Sequence, residues 1–220
     1  MINDDNAVTA VAEAVARIGR HEWPLRMTST VQKFLEELSD ILGIEIDLKD
    51  PEPALAKLGN LARVIGAVLH NTSNPTALRA GYKHNVIPQS AEALIDCRFL
   101  PGLEDEMLAT IDELIGPDVR RETVIQDIAY ETTFDGPLVD AMVASLQAED
   151  ADARVFPYCL SGGTDNKSFS LLGIRGFGFA PLRLPADLDF TGLFHGVDER
   201  VPLESLRFGV RVLDRFIAAS

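Results

Sequence analysis

A single histidine stands in a loop-like stretch near the end of the chain. His195 lies in "FTGLFHGVDERV" (190–201), between a phenylalanine and a glycine, and is one of four histidines. A neutral imidazole in a loop can bind a metal or a reacting group. The alternative is a loop histidine with a satisfied hydrogen bond. Spacing alone favours that alternative, because a catalytic zinc takes about three protein ligands and the sequence has no HExxH, HxD or CxxC motif.

A glycine-containing stretch, "SGGTDNKSF" (161–169), follows a predicted strand and opens a predicted helix. Backbone N–H groups in such a position can bind an anion. The P-loop motif is excluded because Ser161 and Asn166 stand where that motif needs glycine. The G-x-S-x-G nucleophile elbow also fails, since Cys159 stands two residues before Ser161. The stretch is therefore either a binding loop or a turn that simply needs its two glycines.

Further polar candidates lie in "GYKHNVIPQSAEALIDCRFLPG" (81–102). Asn85 falls in a predicted turn, where His84 is expected to be exposed. Arg98 lies on the polar face of the strand that follows, and an arginine can bind a carboxylate through two parallel hydrogen bonds. The alternative for Arg98 is a surface salt bridge with Asp96 or with a neighbouring strand, and spacing alone favours it.

Composition narrows the class of protein. The chain has 220 residues, 46% of them hydrophobic, and a net charge of -14 at pH 7. It is therefore expected to be globular and to repel nucleic acid and anionic membranes. No apolar run reaches the roughly 20 residues that span a bilayer, and the start, "MINDDNAV", lacks the features of a signal peptide. The two cysteines are too few for a disulfide framework, so a cytoplasmic location is expected.

Helical periodicity marks the first elements. Apolar residues recur every three or four positions in three segments: 8–18, 31–41 and 58–68. Asp4 and Asp5 suit the N-cap and first turn of the first helix. Gly43 is placed to end the second.

The hydrophobic period changes after residue 69. "HNTSNPTALRAG" (70–81) is predicted to be extended, and its proline favours a sheet edge. "SAEALIDCRFL" (90–100) alternates between apolar and polar residues, which is typical of a half-buried strand. A helix over 107–115 and a further strand, "VRRETVIQDIAYETTF" (119–134), complete an α+β layer within residues 1–134.

A domain boundary is predicted near "FDGP" (134–137). A helix (138–147), a strand "ARVFPYCL" (153–160), a short helix and a strand "GFGFAP" (176–181) follow. The last helix carries an apolar stripe made of Leu203, Leu206, Val210, Leu213 and Ile217. This half is typical of part of an α/β layer with few strands of its own, which needs a partner surface.

Four stretches together resemble one enzyme family: "NPTALRAGYKHNVIPQSAEALIDCRFLPG", "SGGTDNKSF", "GIRGFGFAP" and "HGVDERVPLESLRFGVRVLDRF". The chain resembles the di-zinc metallohydrolases that include aminoacylase-1, acetylornithine deacetylase, succinyl-diaminopimelate desuccinylase and the carboxypeptidase G and S enzymes. The resemblance implies an α+β lid, or dimerisation domain, with a ferredoxin-like antiparallel sheet over residues 1–134. It implies the C-terminal part of an α/β zinc-peptidase catalytic domain over residues 135–220.

The resemblance also implies roles for the polar candidates. His195 resembles the histidine that binds the second zinc. Asn85 resembles a lid residue that reaches the substrate, and Arg98 resembles the lid arginine that binds the substrate carboxylate. The loop that lines the substrate pocket is matched by Gly162, Gly163 and Thr164.

Several parts that the family carries are missing from this sequence. They are the H-x-D motif, the bridging aspartate, the Glu-Glu pair with the general base, the lid histidine and the first lid strand. The chain is therefore expected to be the C-terminal part of a zinc-dependent hydrolase that cleaves an amide bond in N-acyl amino acids or small peptides. The complete enzyme would hold two zinc ions, with cobalt as a possible substitute, and would dimerise through the lid.

The chain alone is expected to be inactive, because its general base is missing. It is also expected to hold no metal tightly, because it keeps only one of the metal ligands that the resemblance implies. The alternative is a non-catalytic module that dimerises or binds a ligand.

Overall fold

The computed structural model describes residues 5–58, 62 and 65–219. The chain divides into two compact units. Unit 1 comprises residues 1–28 and 67–129, and unit 2 comprises residues 29–66 and 130–220. The division at residues 134 and 135 stays a prediction.

The elements alternate along the chain between the two units. The helices are α1 (Ala7–Gly19), α2 (Ser29–Leu42), α3 (Glu52–Leu55), α4 (Glu104–Ile115), α5 (Pro137–Gln147), α6 (Asn166–Leu171) and α7 (Leu203–Ala219). Short 3-10 helices cover Ala56–Leu58 and Thr191–Leu193. The strands are β1 (Thr72–Ala80) and β2 (Ala91–Arg98). Within the described ranges, no helix is both long and apolar enough to cross a bilayer.

Helix α1 begins at a side-chain cap. The Asn6 side chain accepts a hydrogen bond of 3.0 Å from the Val8 N–H, which satisfies one of the free donors at the helix start. The prediction that Asp4 and Asp5 cap this helix is therefore wrong for Asp5, while Asp4 lies outside the described residues. The buried face of α1 consists of Val11, Ala14 and Ile18.

The strands β1 and β2 form an antiparallel hairpin, with Thr72 opposite Arg98 at one end and Ala80 opposite Ala91 at the other. Half-buried and exposed residues alternate along β2, which confirms the half-buried strand predicted from the sequence. The pairing is irregular after Pro75, since proline has no N–H to donate to the ladder. The extended segment predicted around this proline is confirmed.

The core of unit 1 lies between α1 and α4. Its buried cluster consists of Ala14, Ile18, Met107, Ile111 and Ile115, and side chains of β2 pack against it. Arg17 donates hydrogen bonds to the carbonyl oxygens of Leu114 (2.5 Å) and Ile115 (3.0 Å). Carbonyls at the end of a helix such as α4 have no partner within the helix, and the helix dipole favours a cation there.

Unit 2 packs α5 against α7. Val139 and Met142 on α5 and Phe208 and Val212 on α7 are buried. Elsewhere in this unit, α2 is fastened to the segment that follows α5. Arg154 donates to Asp40 (2.6 Å) and Glu37 (2.5 Å), and the rings of Phe34 and Phe156 lie 5.5 Å apart.

Three predicted strands are wrong: 119–134, 153–160 and 176–181 have no strand assignment. A strand exists only when its backbone pairs with a neighbour, and side chains hold these segments instead. In unit 1, Arg121 binds Asp112 through two hydrogen bonds of 2.7 and 2.8 Å. In unit 2, the Gly176 N–H donates to the Tyr130 hydroxyl at 3.1 Å.

The fold class is confirmed at the level of a small antiparallel sheet with helices, and the ferredoxin-like sheet that lacks its first strand stays a prediction. The helices predicted over 31–41, 107–115 and 138–147 are confirmed. Gly43 ends α2 with a left-handed φ of 62°, as expected. In the segment 58–68, which is predicted to be helical, residues 59–61, 63 and 64 lie outside the described residues, and residues 62, 65 and 66 are helical.

Candidate functional site

His195 follows a short 3-10 turn in unit 2 and is exposed. Its φ is 58°, and among the described residues it is the one non-glycine residue with a positive φ. The turn is closed by a hydrogen bond of 2.9 Å from the Gly196 N–H to the Leu193 carbonyl. The rings of Phe190 and Phe194 meet edge to face at 5.1 Å, which packs the turn from its own side chains.

The left-handed backbone at His195 is strained. A non-glycine residue in this region costs about 1–2 kcal/mol, because Cβ approaches the following carbonyl. Such strain concentrates at functional sites, where the surrounding structure keeps it in place. The sequence alone did not predict this strain, although the glycine at position 196 marks a tight turn.

The described residues do not build a metal site around His195. No group of three His, Cys, Asp or Glu side chains in these ranges is placed to share a metal ion. A catalytic zinc needs about three protein ligands. The described part of the chain therefore does not supply a complete set of zinc ligands by itself.

The loop that contains Gly162, Gly163 and Thr164 is exposed and leads into α6. The Thr164 carbonyl accepts a hydrogen bond of 3.2 Å from the Lys167 N–H. Neither glycine has a positive φ. A Cβ at Gly163 would meet no atom within 4 Å, and a Cβ at Gly162 would make only ordinary contacts with Leu160. The fold of this loop therefore does not itself require the two glycines.

Asn85 and Arg98 lie at opposite ends of the hairpin in unit 1. Asn85 is exposed in the turn that joins the strands, as is His84. Arg98 ends β2, so at about 3.3 Å per residue it lies roughly 20 Å or more from the turn. The Arg98 Nε atom donates to the Asp96 carboxylate at 3.1 Å, and both side chains are about half exposed. The salt bridge that the sequence offered as an alternative is thus formed.

Both cysteines are poor candidates for a nucleophile. Burial, and then the neighbouring Asp96 carboxylate, raises the pKa of the Cys97 thiol. Burial, and then Glu131, raises the pKa of the Cys159 thiol. A reactive cysteine needs the opposite shift, because the thiolate is the attacking form.

Arg175 makes several hydrogen bonds that no sequence motif predicted. Its guanidinium donates to the Thr133 carbonyl (2.7 Å), to the Asp135 carboxylate (2.8 Å) and to the Thr132 hydroxyl (3.2 Å). It therefore fastens the chain just before α5 begins. The only signal in the sequence is an arginine that follows a glycine-terminated helix and precedes another glycine, "GIRG".

Known proteins resemble this chain in sequence. Residues 3–121 match the family described as the peptidase dimerisation domain of the M20 peptidases. The chain is 24% identical to N-fatty-acyl-amino acid synthase/hydrolase PM20D1 of Homo sapiens over 226 residues, which covers 97% of this chain and 44% of that protein. It is 24% identical to the probable carboxypeptidase S-like 2 of Dictyostelium discoideum, covering 92% of this chain and 40% of that protein.

A solved structure resembles the chain in fold. It is the M20 family metallo-carboxypeptidase Sso-CP2 from Sulfolobus solfataricus, with a TM-score of 0.57 and 15% sequence identity. The match covers 98% of this chain and 56% of that protein. The chain therefore spans about half the length, or less, of the relatives it matches. Because the dimerisation-domain match covers more than half of the chain, this protein belongs to the M20 peptidase family.

Proposed function

We propose that the chain supplies the dimerisation domain and part of the substrate and metal site of a metal-dependent hydrolase. The reaction class is cleavage of an amide bond in N-acyl amino acids or small peptides. The names of the relatives support this class, since one is an N-fatty-acyl-amino acid synthase/hydrolase and another is carboxypeptidase S-like. The 220-residue chain alone is proposed to be inactive, because it offers no identified general base.

The backbone of His195 is the observation that carries the proposal. Its φ of 58° puts an imidazole in a position that glycine would occupy at lower energy. The side chain is exposed, so core packing does not explain its presence. Retaining a strained and exposed histidine is consistent with a role for the imidazole itself, and the proposed role is metal binding.

Zinc is the proposed metal, with cobalt as a substitute. Since no three donors converge among the described residues, His195 alone would hold zinc weakly. The donor groups described near His195 do not supply the remaining ligands of a two-zinc site. Those ligands would have to come from other polypeptide. We therefore assign His195 as one ligand and derive no chemical step from the metal.

The glycine loop is the proposed substrate contact in unit 2. Gly163 has open space where a Cβ would stand and no left-handed φ. The fold of the loop does not require a glycine at this position. Such a glycine is expected where a ligand approaches the backbone closely. Gly162, Gly163 and Thr164 are therefore proposed to line the substrate pocket.

Arg98 is the proposed partner of the substrate carboxylate. Its guanidinium already binds Asp96 in a half-exposed pair, and exposed pairs of this kind contribute little, roughly 0–1 kcal/mol. A substrate carboxylate can therefore replace Asp96 at small cost. Asn85 stands in the turn at the far end of the same hairpin and is proposed to contact another part of the substrate.

A homodimer through the lid, residues 1–134, is the proposed assembly, because the family match over residues 3–121 is to a dimerisation domain. A cytoplasmic location is part of the same proposal, since two free and half-buried thiols suit a reducing compartment. The second candidate is a module that dimerises or binds a ligand without catalysis. The lack of a converging donor group in the described ranges favours it.

Turnover by the purified 220-residue chain tests the proposal. N-acetyl amino acids and dipeptides are assayed with added zinc or cobalt, beside His195→Ala and a blank that contains metal only. We expect no turnover above the blank for either protein. Turnover that His195→Ala abolishes would show that this chain is a complete catalyst and would contradict the proposed division of the site.

A further inference from the structure

Asp189 lies six residues before His195, just ahead of the 3-10 turn that leads to this histidine in unit 2. Its carboxylate accepts a hydrogen bond of 3.1 Å from the Gly192 N–H and one of 3.4 Å from the Thr191 hydroxyl. A carboxylate in this place satisfies a backbone donor that has no partner inside the turn, as a capping side chain does at the start of a helix. The Asp189 side chain therefore fixes the first residues of the turn.

Gly192 has no room for a side chain beside this carboxylate. A Cβ at position 192 would stand 2.7 Å from the carboxyl carbon of Asp189, which is too close for a real contact. Gly192 has no positive φ, so its backbone conformation does not require glycine. Glycine is also the residue expected where another group approaches the backbone closely. The contact with Asp189 is therefore the reason that position 192 needs a glycine.

Two further hydrogen bonds connect this contact to His195. The Leu193 N–H donates to the Phe190 carbonyl at 3.2 Å, and the Gly196 N–H donates to the Leu193 carbonyl at 2.9 Å. His195 lies inside the second of these turns, where its φ is 58°. Steric repulsion at Cβ disfavours this left-handed backbone by a factor of about 5 to 30. The contacts of the turn must therefore stabilise it by at least that factor.

We propose that Asp189 is a positioning residue for His195. By holding the turn at Gly192, its carboxylate keeps the His195 backbone left-handed and so sets the direction of the imidazole. The inference rests on the proposed function in its last step, in which this imidazole binds a metal. None of the residues 189–196, all of which the structure describes, is buried, so core packing does not hold the segment. A metal ligand needs such support, because neighbouring contacts must keep it within about 0.5 Å of its working position.

Nuclear magnetic resonance of the metal-free 220-residue chain tests the role of Asp189. A positive φ brings the amide proton of a residue close to its own Hα, so wild type is expected to show a strong cross-peak between these two protons of His195. Asp189→Ala is expected to weaken the cross-peak. It is also expected to speed hydrogen exchange at the Gly196 N–H about fivefold, the factor for the loss of one hydrogen bond. Asp187→Ala, which removes an exposed carboxylate two residues earlier, is the matched control and should leave both signals unchanged.

Two further variants separate the hydrogen bond from the charge. The side-chain oxygen of Asp189→Asn still accepts from the Gly192 N–H, so this variant is expected to keep the His195 cross-peak and the slow exchange of wild type. Gly192→Ala displaces the carboxylate and is expected to behave as Asp189→Ala does. Because both changes break the same contact, the double variant is expected to be no more disturbed than either single variant.

An unchanged His195 cross-peak in Asp189→Ala would overturn the proposal. An Asp189→Asn variant as disturbed as Asp189→Ala, or equal disturbance in Asp187→Ala, would also overturn it, because charge and not the hydrogen bond would then be responsible. These measurements are made without metal, so they do not depend on whether His195 binds one. If His195 proves not to be a metal ligand, the proposed function fails while the result for Asp189 stands.

Discussion

Arg175 holds Asp135 at two points: its Nη2 atom lies 2.8 Å from the Asp135 carboxylate and 3.2 Å from the Asp135 carbonyl oxygen. The next residue, Gly136, has a φ of 94°, and α5 begins immediately after it. The guanidinium therefore fixes the sharp turn that starts α5. A second nitrogen of the same group, Nε, reaches the Thr132 hydroxyl at 3.2 Å. A lysine ammonium has its three donors at a single point and cannot hold both places.

Arg175→Lys is expected to lower the stability of unit 2 although the charge is kept. The lysine has one nitrogen and cannot reproduce the Nε contact with the Thr132 hydroxyl together with the Nη2 contacts with Asp135. Losing such a hydrogen bond costs about 1 kcal/mol. Chemical denaturation, followed by the far-ultraviolet circular dichroism of the helices, measures the change in the midpoint. Arg183→Lys is the matched control, because within the described ranges the Arg183 guanidinium makes only a 3.7 Å contact with Asp150. Equal midpoints for the two variants would contradict the role of Arg175.

Glu149 is expected to make stability depend on acid pH. Hydrogen bonds from Arg211, and then from Arg215, lower the pKa of the Glu149 carboxyl. Because the unfolded chain takes up this proton at a higher pH than the folded chain, the stabilisation is complete above the ordinary carboxyl pKa. It is lost as the pH falls through the lower folded value.

The measurement is the denaturation midpoint of wild type and Glu149→Gln between pH 7 and pH 3. The variant should lose stability less steeply with acid than wild type does. Glu45→Gln, which also removes one negative charge from an exposed position in unit 2, is the control and should keep the wild-type slope. A Glu149→Gln slope equal to that of wild type would refute the assignment.

His195→Gly is expected to stabilise the folded chain by about 0.5–1 kcal/mol. Glycine adopts the left-handed φ at position 195 without the Cβ clash, and part of this gain is offset by its greater freedom in the unfolded chain. His84→Gly is the matched control, because His84 is an exposed histidine in a turn without a positive φ. It should gain no stability. A destabilised His195→Gly would show that the imidazole has a structural role.

Gly209→Ala is expected to destabilise unit 2 by about 1–3 kcal/mol, as overpacking does. Its Cβ would meet the backbone carbonyl oxygen of Pro181 at 2.8 Å, so α7 or that carbonyl must move. Gly163→Ala has open space instead and should leave the denaturation midpoint close to that of wild type. Equal losses in both variants would contradict the difference in packing.

The helices and the first strands were predictable because their signals are local. The periodicity of α1, α4 and α5 and the alternation of β2 depend on neighbouring residues in the sequence, and the structure confirms them. The segments 119–134 and 153–160 have strand-like composition, but strand formation also needs a hydrogen-bonded neighbour, which local sequence does not reveal. Side chains such as Arg121 and Arg154 fasten these segments instead.

The candidate site shows the same limit. The residue types in "FHG" and "SGGT" made His195 and the glycine loop candidates, the family resemblance supplied their roles, and these roles stay predictions. The left-handed φ of His195 depends on the turn closed between Leu193 and Gly196, so it was visible only in the structure. The contacts of Arg175 join residues about forty positions apart, for which the sequence gave no pattern.

Zinc content measured on the purified chain tests the central claim most directly. The chain is loaded with excess zinc, desalted and analysed for metal by mass spectrometry, beside His195→Ala treated in the same way. Because no three donors converge within the described residues, we predict well under one zinc ion retained per chain for both proteins. About two zinc ions retained by wild type, with a loss of about one in His195→Ala, would contradict the claim that this chain carries only part of the metal site.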